Sequence, residues 1–335
     1  MSKRVPIIGI TLGDINGIGP EIALKSVYAK RLTGVRLVLI GDDKVVSREA
    51  RRQDRAPLPA WSPAESSQPS HRVTVWNPTP QISPAYRPGA CTAAASRAAH
   101  AWVTAAASAA LRGVIAAIVT APINKEGFMK AGLDYPGHTE LLAELTGVAR
   151  YEMMLLADNF RVVLATRHIP IKAVPGALTR KGVRDTIEMT ADALRWLGAR
   201  RKRIAVCGLN PHAGDGGAIG NEERTIIRPA MRRVRRKDVA LTGPVPADSV
   251  FRQIRHGAYD AVVAMYHDQA LAPFKMVAFE KGVNLTLGLP IIRTSPDHGT
   301  AYSLAEKGRA DASSTMEAIA LAAALARRPN PWRTP

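Results

Sequence analysis

Three of the eight histidines follow short apolar runs that predict buried β-strands. They are His168, His212 and His267. If the strands are parallel, their carboxyl ends meet at one edge of a sheet and bring the three imidazoles to that edge. Three imidazoles with open coordination positions are typical of a catalytic divalent-metal site, with zinc or a similar ion. Each histidine could equally cap its strand or bond locally, and no H-x-x-H spacing decides between these interpretations.

A second group of polar side chains stands in apolar segments. His138 lies at the predicted start of a helix, a position that suits an anion because backbone N–H groups point outward there. Lys275, Asn284 and Arg293 are spaced nine residues apart in otherwise apolar sequence. An unpaired charge in such surroundings is costly. Either internal carboxylates pair with these cations or a substrate anion does.

Two glycine-rich segments could form ligand-binding loops. Residues 13–21 read GDINGIGPE after an apolar run, and they predict a strand, a tight turn and a helix that starts near Pro20. The turn could present N–H groups to an anion, or it could be purely structural. Residues 214–220 contain G-x-G-x-x-x-G, but Asn210, Pro211 and His212 separate these glycines from the preceding strand. The pattern therefore does not favour a dinucleotide-binding fingerprint.

The remaining pattern alternates apolar runs with helix-compatible segments. The predicted strands are residues 6–12, 35–40, 114–119, 161–166, 204–209 and 260–266. The predicted helices are residues 20–30, 91–111, 137–146, 184–197, 222–236 and 312–327. Strands without internal alternation are typical of sheets that are buried on both faces. The pattern predicts an α/β fold with a mostly parallel sheet, in which residues 55–88 form an irregular connection or a β-edge.

Composition narrows the function classes. The length of 335 residues suggests about two domains, and 46% hydrophobic residues exclude wholesale disorder. The formal net charge is +18, but the basic residues are dispersed and aromatic residues make up only 5%, so no nucleic-acid stacking platform is predicted. No segment predicts a signal peptide or a membrane span, and two cysteines do not make a disulfide framework. We expect a cytoplasmic protein that binds neither nucleic acid nor membranes.

Several long segments together resemble the 4-hydroxythreonine-4-phosphate dehydrogenase family. They are GDINGIGPEI (13–22), TAPINKEGF (120–128), PGHTELLAELTG (136–147), CGLNPHAGDGGAIGNEE (207–223), GPVPADSVF (243–251), YDAVVAMYHDQALAPFK (259–275) and GVNLTLGLPIIRTSPDHGTAY (282–302). The resemblance extends from Ile7 to about Ala320. The first loop departs from the usual family pattern, since Ile15 and Asn16 stand where Pro and Ala are most common.

This resemblance implies a fold like that of isocitrate and isopropylmalate dehydrogenases. Two α/β domains with mostly parallel sheets would then flank an active site in the cleft between them. We place the first, discontinuous domain at residues 1–125 plus 285–335. The second, at residues 126–284, would carry the metal ligands and the contacts of a homodimer that shares its active sites.

The resemblance also implies roles for individual residues. The implied metal ligands are His168, His212 and His267. The implied substrate-binding residues, several of them contacting a phosphate, are His138, Thr139, Lys275, Asn284 and Arg293. The segment that would approach the nicotinamide is Asp297, His298 and Gly299. Candidates for orienting a ligand or moving the hydroxyl proton are Asp248 and Asp268.

The implied reaction is a metal-dependent, NAD(P)-linked oxidation with decarboxylation, in which the metal is Zn, Mg or Co. The main hypothesis is conversion of 4-hydroxythreonine 4-phosphate to 3-amino-2-oxopropyl phosphate in pyridoxal phosphate biosynthesis. Alternative substrates are a four-carbon sugar-acid phosphate and an aromatic cis-dihydrodiol carboxylate. The alternative from another class is a metal-dependent hydrolase or aldolase that uses no nicotinamide.

Overall fold

Short apolar runs form the strands of the computed structural model, which describes residues 5–29, 32–66 and 68–333. The strands of these residues are β1 (Ile7–Thr11), β2 (Arg36–Ile40), β3 (Val73–Trp76), β4 (Ala117–Thr120), β5 (Glu152–Ala157), β6 (Phe160–Leu164), β7 (Arg203–Cys207), β8 (Ala240–Val245), β9 (Ala261–Ala264), β10 (Val283–Leu287) and β11 (Arg293–Pro296). Each of the six predicted strands overlaps one of them, so these six predictions are confirmed.

Helices connect most of the strands. They are α1 (Gly19–Tyr28), α2 (Asp43–Arg52), α3 (Ala93–Leu111), α4 (Lys125–Lys130), α5 (His138–Leu145), α6 (Val174–Ala177), α7 (Arg180–Trp196), α8 (Arg228–Arg232), α9 (Ala247–Arg255), α10 (His267–Ala278) and α11 (Ser313–Leu325). Among the described residues, no helix has both the length and the apolar character that a membrane span needs.

The chain divides into two compact units. The first comprises Met1–Arg150 and Leu289–Pro335, and the second comprises Tyr151–Gly288. The sequence-based division instead changes domain after residues 125 and 284. Residues 126–150 belong to the first unit because α4 and α5 pack on α3, where the His100 ring lies 6.3 Å from that of Phe128 and 5.9 Å from that of Tyr135.

The first unit contains a parallel sheet in the order β3-β2-β1-β4-β11. Nearly all residues of these strands are buried, which explains why their sequences do not alternate. β3 is the edge strand and lies within residues 55–88, where the sequence predicts an irregular connection or a β-edge. Both alternatives hold in part, since β3 forms a β-edge and the described residues around it are largely irregular.

The second unit contains the strands β10-β5-β6-β9-β7-β8 in that order. The pairs β10–β5 and β5–β6 are antiparallel, whereas β6–β9, β9–β7 and β7–β8 are parallel. The prediction of an α/β fold with mostly parallel sheets is therefore confirmed. The three strands that lead to the candidate histidine ligands, β6, β9 and β7, are direct neighbours.

The predicted helix at residues 222–236 forms one helical stretch that ends earlier than predicted. A π-helical turn covers Glu223–Ile227 and continues without a break into α8, which begins at Arg228. Pro229 has no N–H to donate, so an α-helical hydrogen bond is missing where the π-helical turn meets α8. The prediction of a continuous helix is confirmed, but its end was placed too late, since α8 ends at Arg232.

Candidate active site

The candidate metal ligands His168 and His267 lie side by side in the second unit. Their ring centroids are 5.5 Å apart, and the ring planes are inclined by 44°. Both residues line a cavity of about 200 Å³ beside Thr166 and Tyr266. Because β6 and β9 are adjacent and parallel, residues just beyond their carboxyl ends meet, as the sequence pattern predicts.

A carboxylate orients one of these two imidazoles. The Nδ1 atom of His267 lies 2.6 Å from Oδ1 of Asp268. A carboxylate on one ring nitrogen fixes the tautomer and directs the other nitrogen, Nε2, toward a metal. This contact favours an orienting role for Asp268. The side chain of Asp268 is 83% exposed, so solvent screens the pair.

Asp248, the other candidate carboxylate, lies apart from this cavity. It is exposed in the first turn of α9 and lines a different cavity of about 610 Å³ together with Phe251 and Gln269. Of the two candidate carboxylates, Asp268 is the one with a contact to a predicted metal ligand in the structure.

His212 lies in a loop of unusual backbone conformation. The φ angles of His212, Ala213 and Asp215 are 51°, 55° and 43°, a left-handed region that non-glycine residues rarely adopt. His168 is also left-handed, with φ 32°. Such backbone strain persists only where the surrounding structure enforces it.

A buried carboxylate holds the His212 loop in this shape. Oε1 of Glu223 accepts hydrogen bonds from the N–H groups of Leu209 (2.7 Å) and Asn210 (2.8 Å), and Oε2 accepts one from Nδ2 of Asn210 at 3.0 Å. A Cβ on Gly214 would lie 2.6 Å from Oε2 of Glu223, which explains the glycine there. Sequence reasoning missed Glu223, because nothing in a Glu-Glu pair shows which side chain is buried.

The structure does not bring His212 into a single group with His168 and His267. Within the described ranges, no three or more His, Cys, Asp or Glu side chains lie close enough together to hold a metal ion. The donor set that is in place consists of two imidazoles, one oriented by a carboxylate. These donors suit a divalent metal that takes nitrogen ligands, such as zinc, and they leave coordination positions to be filled.

In the first unit, a buried guanidinium marks a candidate anion site. Arg293 is 3% exposed and donates from Nε (3.1 Å) and Nη2 (2.8 Å) to Oγ1 of Thr120. Burial lowers the pKa of Arg293 to about 10, and Glu140 opposes that shift. At this pKa the group remains a cation at neutral pH.

His138 completes this candidate anion site. It is the first residue of α5, and its Nε2 atom is buried with no hydrogen-bond partner among the described residues. Burial is the main cause that holds the pKa of His138 well below 6.5, and the positive charge of Arg293 is the second cause. A buried cation, an unpaired imidazole nitrogen and a helix N-terminus are together suited to a phosphate.

The other predicted substrate-binding residues occupy both units. Thr139 follows His138 in the first turn of α5, within the candidate anion site. Lys275 lies in the last turn of α10, and Asn284 lies in β10 of the second unit. The Oδ1 atom of Asn284 is buried and has no hydrogen-bond partner within the part of the chain that is described. His138, Thr139 and Arg293 belong to the first unit, and Lys275 and Asn284 to the second.

The candidate nicotinamide segment follows β11 and is paired with the first glycine-rich loop. The hydroxyl of Tyr302 donates to Oδ2 of Asp14 at 2.6 Å, and the N–H of Ile18 donates to the carbonyl of Thr300 at 3.0 Å. A Cβ on Gly17 would lie 2.5 Å from that carbonyl oxygen. The glycines of residues 13–19 therefore serve close loop packing.

Within the candidate nicotinamide segment, the three residues differ in their surroundings. The N–H of Asp297 donates to Oγ of Ser314 at 3.2 Å, which fixes the first residue after the strand. His298 is half-buried, and its Nε2 atom has no hydrogen-bond partner in the described ranges. Gly299 is exposed. The segment thus presents the unpaired Nε2 atom of His298 beside the exposed backbone of Gly299.

Acidification is expected to destabilise the ligand-free protein through His138. Its pKa in the folded chain is below 6.5, so below pH 6.5 the unfolded chain binds a proton that the folded chain does not. The free energy of unfolding then falls as the pH drops. We expect His138→Gln to gain stability relative to the wild type between about pH 7 and about pH 5, since this range spans the ordinary titration of histidine. Urea denaturation of both proteins checks this, and a difference that is independent of pH would contradict it.

Comparisons with known proteins show which proteins this chain is similar to. The family model described as pyridoxal phosphate biosynthetic protein PdxA matches residues 34–322. A 4-hydroxythreonine-4-phosphate dehydrogenase from Desulfosudis oleivorans is 46% identical over 97% of this chain and 98% of its own length. A D-threonate 4-phosphate dehydrogenase from Pectobacterium atrosepticum is 39% identical over 97% of this chain and 100% of its own. The crystal structure of 4-hydroxythreonine-4-phosphate dehydrogenase from Klebsiella pneumoniae superposes with a TM-score of 0.84 at 40% identity, covering 98% of this chain and 100% of that one.

Proposed function

The chain belongs to the family of the pyridoxal phosphate biosynthetic protein PdxA, and on this premise we propose that it is an NAD(P)-linked dehydrogenase of 4-hydroxythreonine 4-phosphate. The product would be 3-amino-2-oxopropyl phosphate, formed by oxidation of the hydroxyl group and loss of CO₂. The observation that carries the proposal is the buried pair of Arg293 and the unpaired His138 at the start of α5. A phosphate would add negative charge beside the Arg293 cation and an acceptor oxygen for the unpaired Nε2 of His138.

The candidate anion site would hold the substrate by its phosphate. Arg293 donates charge-assisted hydrogen bonds, and the hydroxyl of Thr139 and the N–H groups of the first turn of α5 add neutral donors. His138 faces a guanidinium when the site lacks a ligand. A dianion offsets that positive charge and favours the protonated imidazole, so His138 would become a donor to the phosphate.

His168, His212 and His267 would hold the divalent metal. When bound, the metal supplies Lewis-acid chemistry that lowers the pKa of the substrate hydroxyl and stabilises charge during decarboxylation. Imidazole donors favour zinc or cobalt over magnesium, which prefers oxygen ligands. Asp268 keeps His267 in the orientation that presents Nε2.

Asp297, His298 and Gly299 would lie against the nicotinamide cofactor, whose own chemistry accepts the hydride. The chain's part is to position the cofactor. The contacts of Asp14 with Tyr302 and of Ile18 with Thr300 hold the loop that follows β11 in a defined conformation. The unpaired Nε2 of His298 offers a hydrogen-bonding group to the cofactor.

The proposal includes a homodimer with shared active sites in the cytoplasm. The side chains of Met276, Val277 and Phe279, at the end of α10, are 85%, 42% and 67% exposed, and exposed apolar side chains close together suit a protein–protein contact. The second unit carries this segment as well as the candidate metal ligands. A phosphorylated substrate and a nicotinamide cofactor, both charged and membrane-impermeant, suit a cytoplasmic enzyme.

The second candidate substrate is D-threonate 4-phosphate, which is named for one relative of this chain. It has the same four-carbon phosphorylated skeleton and would use the candidate anion site in the same way. An aromatic cis-dihydrodiol carboxylate would leave the phosphate-binding donors partly unused. A hydrolase or aldolase would use the histidines without a nicotinamide.

The substrate class can be tested with the intact protein. Formation of reduced nicotinamide is followed with 4-hydroxythreonine 4-phosphate, D-threonate 4-phosphate and their dephosphorylated forms, with Zn, Co or Mg added. Two charge-assisted hydrogen bonds of roughly 1.5–3 kcal/mol each correspond to a kcat/KM ratio of at least about a hundredfold in favour of the phosphorylated form. A ratio near one would overturn the phosphate proposal and favour the aromatic diol. Substrate consumption without nicotinamide reduction would favour the hydrolase or aldolase.

A further inference from the structure

A buried chain of hydrogen bonds joins the three loops that carry the candidate metal ligands. From the His168 side, Thr166 donates to the carbonyl of Met265 through both Oγ1 (2.7 Å) and its N–H (3.2 Å). The N–H of Met265 donates to Oε1 of Gln269 at 2.7 Å. On the other side of the same amide, Nε2 of Gln269 donates to the carbonyl of Gly208 at 2.7 Å. These hydrogen bonds together run across the ends of β6, β9 and β7.

We propose that Gln269 is a positioning residue of the metal site, which fixes the His212 loop relative to His267. The inference rests on the proposed function, since it takes the three histidines as metal ligands. Gln269 is the third residue of α10, and His267 is the first, so the same helical turn carries both. Gly208 is the first residue after β7, four positions before His212.

The chemistry of the amide explains why glutamine stands here. A carboxamide offers an acceptor and a donor at once, and one side of this group meets an N–H while the other meets a carbonyl. Gln269 is only 8% exposed, and Met265 is fully buried. Loss of the amide leaves a buried donor and a buried acceptor unpaired, so no apolar side chain substitutes for it without cost.

The Gln269 contact helps to place the His212 loop, together with the hydrogen bond from the N–H of Gly208 to the carbonyl of Val245 at 2.9 Å. Glu223 holds the internal shape of the loop through Leu209 and Asn210, but those contacts lie within the loop region itself. The Gln269 amide ties the loop's first carbonyl to the strand end that carries His267. Without it, the left-handed residues of the loop could relax and carry His212 away from the other ligands.

The test compares Gln269→Leu and Gln269→Glu with the wild type. Leucine removes both hydrogen bonds. Glutamate keeps the acceptor for Met265 but, when ionised, places a second oxygen against the carbonyl of Gly208. The matched control is Thr190→Val, which removes a fully buried hydroxyl that bonds to the carbonyl of Thr186 at 2.7 Å within α7 of the same unit.

Two measurements are made on each protein. Titration with Co²⁺, followed by its visible absorption, gives metal affinity and ligand geometry without any turnover. Both Gln269 variants should bind Co²⁺ about tenfold to a hundredfold more weakly, the range for loss of an outer partner of a metal ligand, and Thr190→Val should bind as the wild type does. Hydrogen exchange of the metal-free proteins should show faster exchange in residues 208–217 of both Gln269 variants only.

Each outcome decides the inference. Wild-type Co²⁺ affinity together with unchanged exchange in residues 208–217 of Gln269→Glu would overturn it. Equal weakening in Thr190→Val would also overturn it, because loss of stability alone would then explain the effect. If the wild type binds no Co²⁺, the metal part of the proposed function fails. Faster exchange in residues 208–217 would then still support the Gln269 contact, and unchanged exchange would refute it.

Discussion

His168→Ala and His267→Ala are each expected to remove most bound metal and most dehydrogenase activity while leaving the fold intact. The two imidazoles lie 5.5 Å apart between ring centroids, so each variant removes one of the two candidate ligands that the structure brings together. Loss of a ligand should weaken metal binding by more than the ~10- to 100-fold cost of losing an outer partner. Metal content after dialysis, the Co²⁺ absorption spectrum and kcat measure the effect.

The matched control for these variants is His256→Ala. His256 is an exposed histidine that ends α9 in the same unit, so its replacement tests for a general effect of removing an imidazole. We expect His256→Ala to keep wild-type metal content and activity. His212→Ala should behave like the other ligand variants. Full activity of His168→Ala or His267→Ala after chelation and return of the metal would refute the assignment.

Arg293→Met is expected to raise KM for the phosphorylated substrate by about tenfold to a hundredfold. The estimate takes one charge-assisted contact of roughly 1.5–3 kcal/mol and about 1.4 kcal/mol per factor of ten. The rise in KM should be far smaller for the dephosphorylated analogue, because that analogue does not use this contact. Because burial already disfavours the charged form of Arg293, its replacement by an apolar side chain of similar length should leave the fold intact.

Thr120→Val separates binding of the phosphate from positioning of the guanidinium. It removes the hydroxyl that accepts from Nε and Nη2 of Arg293 and leaves the cation in place. We expect a smaller rise in KM than in Arg293→Met, since the charge remains. If Arg293→Met weakens phosphorylated and dephosphorylated substrates equally, the candidate anion site does not bind the phosphate.

The identity of this family and most of the strands were readable from sequence. Non-alternating apolar runs predict buried parallel strands because both faces of such strands are covered, and all six runs form strands. Of the strands that the pattern missed, β8 is partly exposed and β11 is polar, whereas β5 and β10 are buried and largely apolar. β11 has the polar sequence Arg-Thr-Ser-Pro, yet it is buried. Its polar side chains have hydrogen-bond partners, since Arg293 donates to Oγ1 of Thr120 and Thr294 donates to the carbonyl of Ala318 at 2.8 Å. No local pattern reveals such partners.

The candidate metal ligands show the same difference between what the sequence predicts and what only the tertiary structure reveals. The sequence alone predicted that His168, His212 and His267 meet, because residues that follow parallel strands share an edge of the sheet. Only the tertiary structure showed that His212 stands in a left-handed loop held by Glu223 and tied to α10 by Gln269. Periodicity reports which residues face the core. It does not report which buried polar atoms bond to one another, because those pairs are set by strand order and join distant residues, 61 positions apart for Gln269 and Gly208 and 173 positions apart for Arg293 and Thr120.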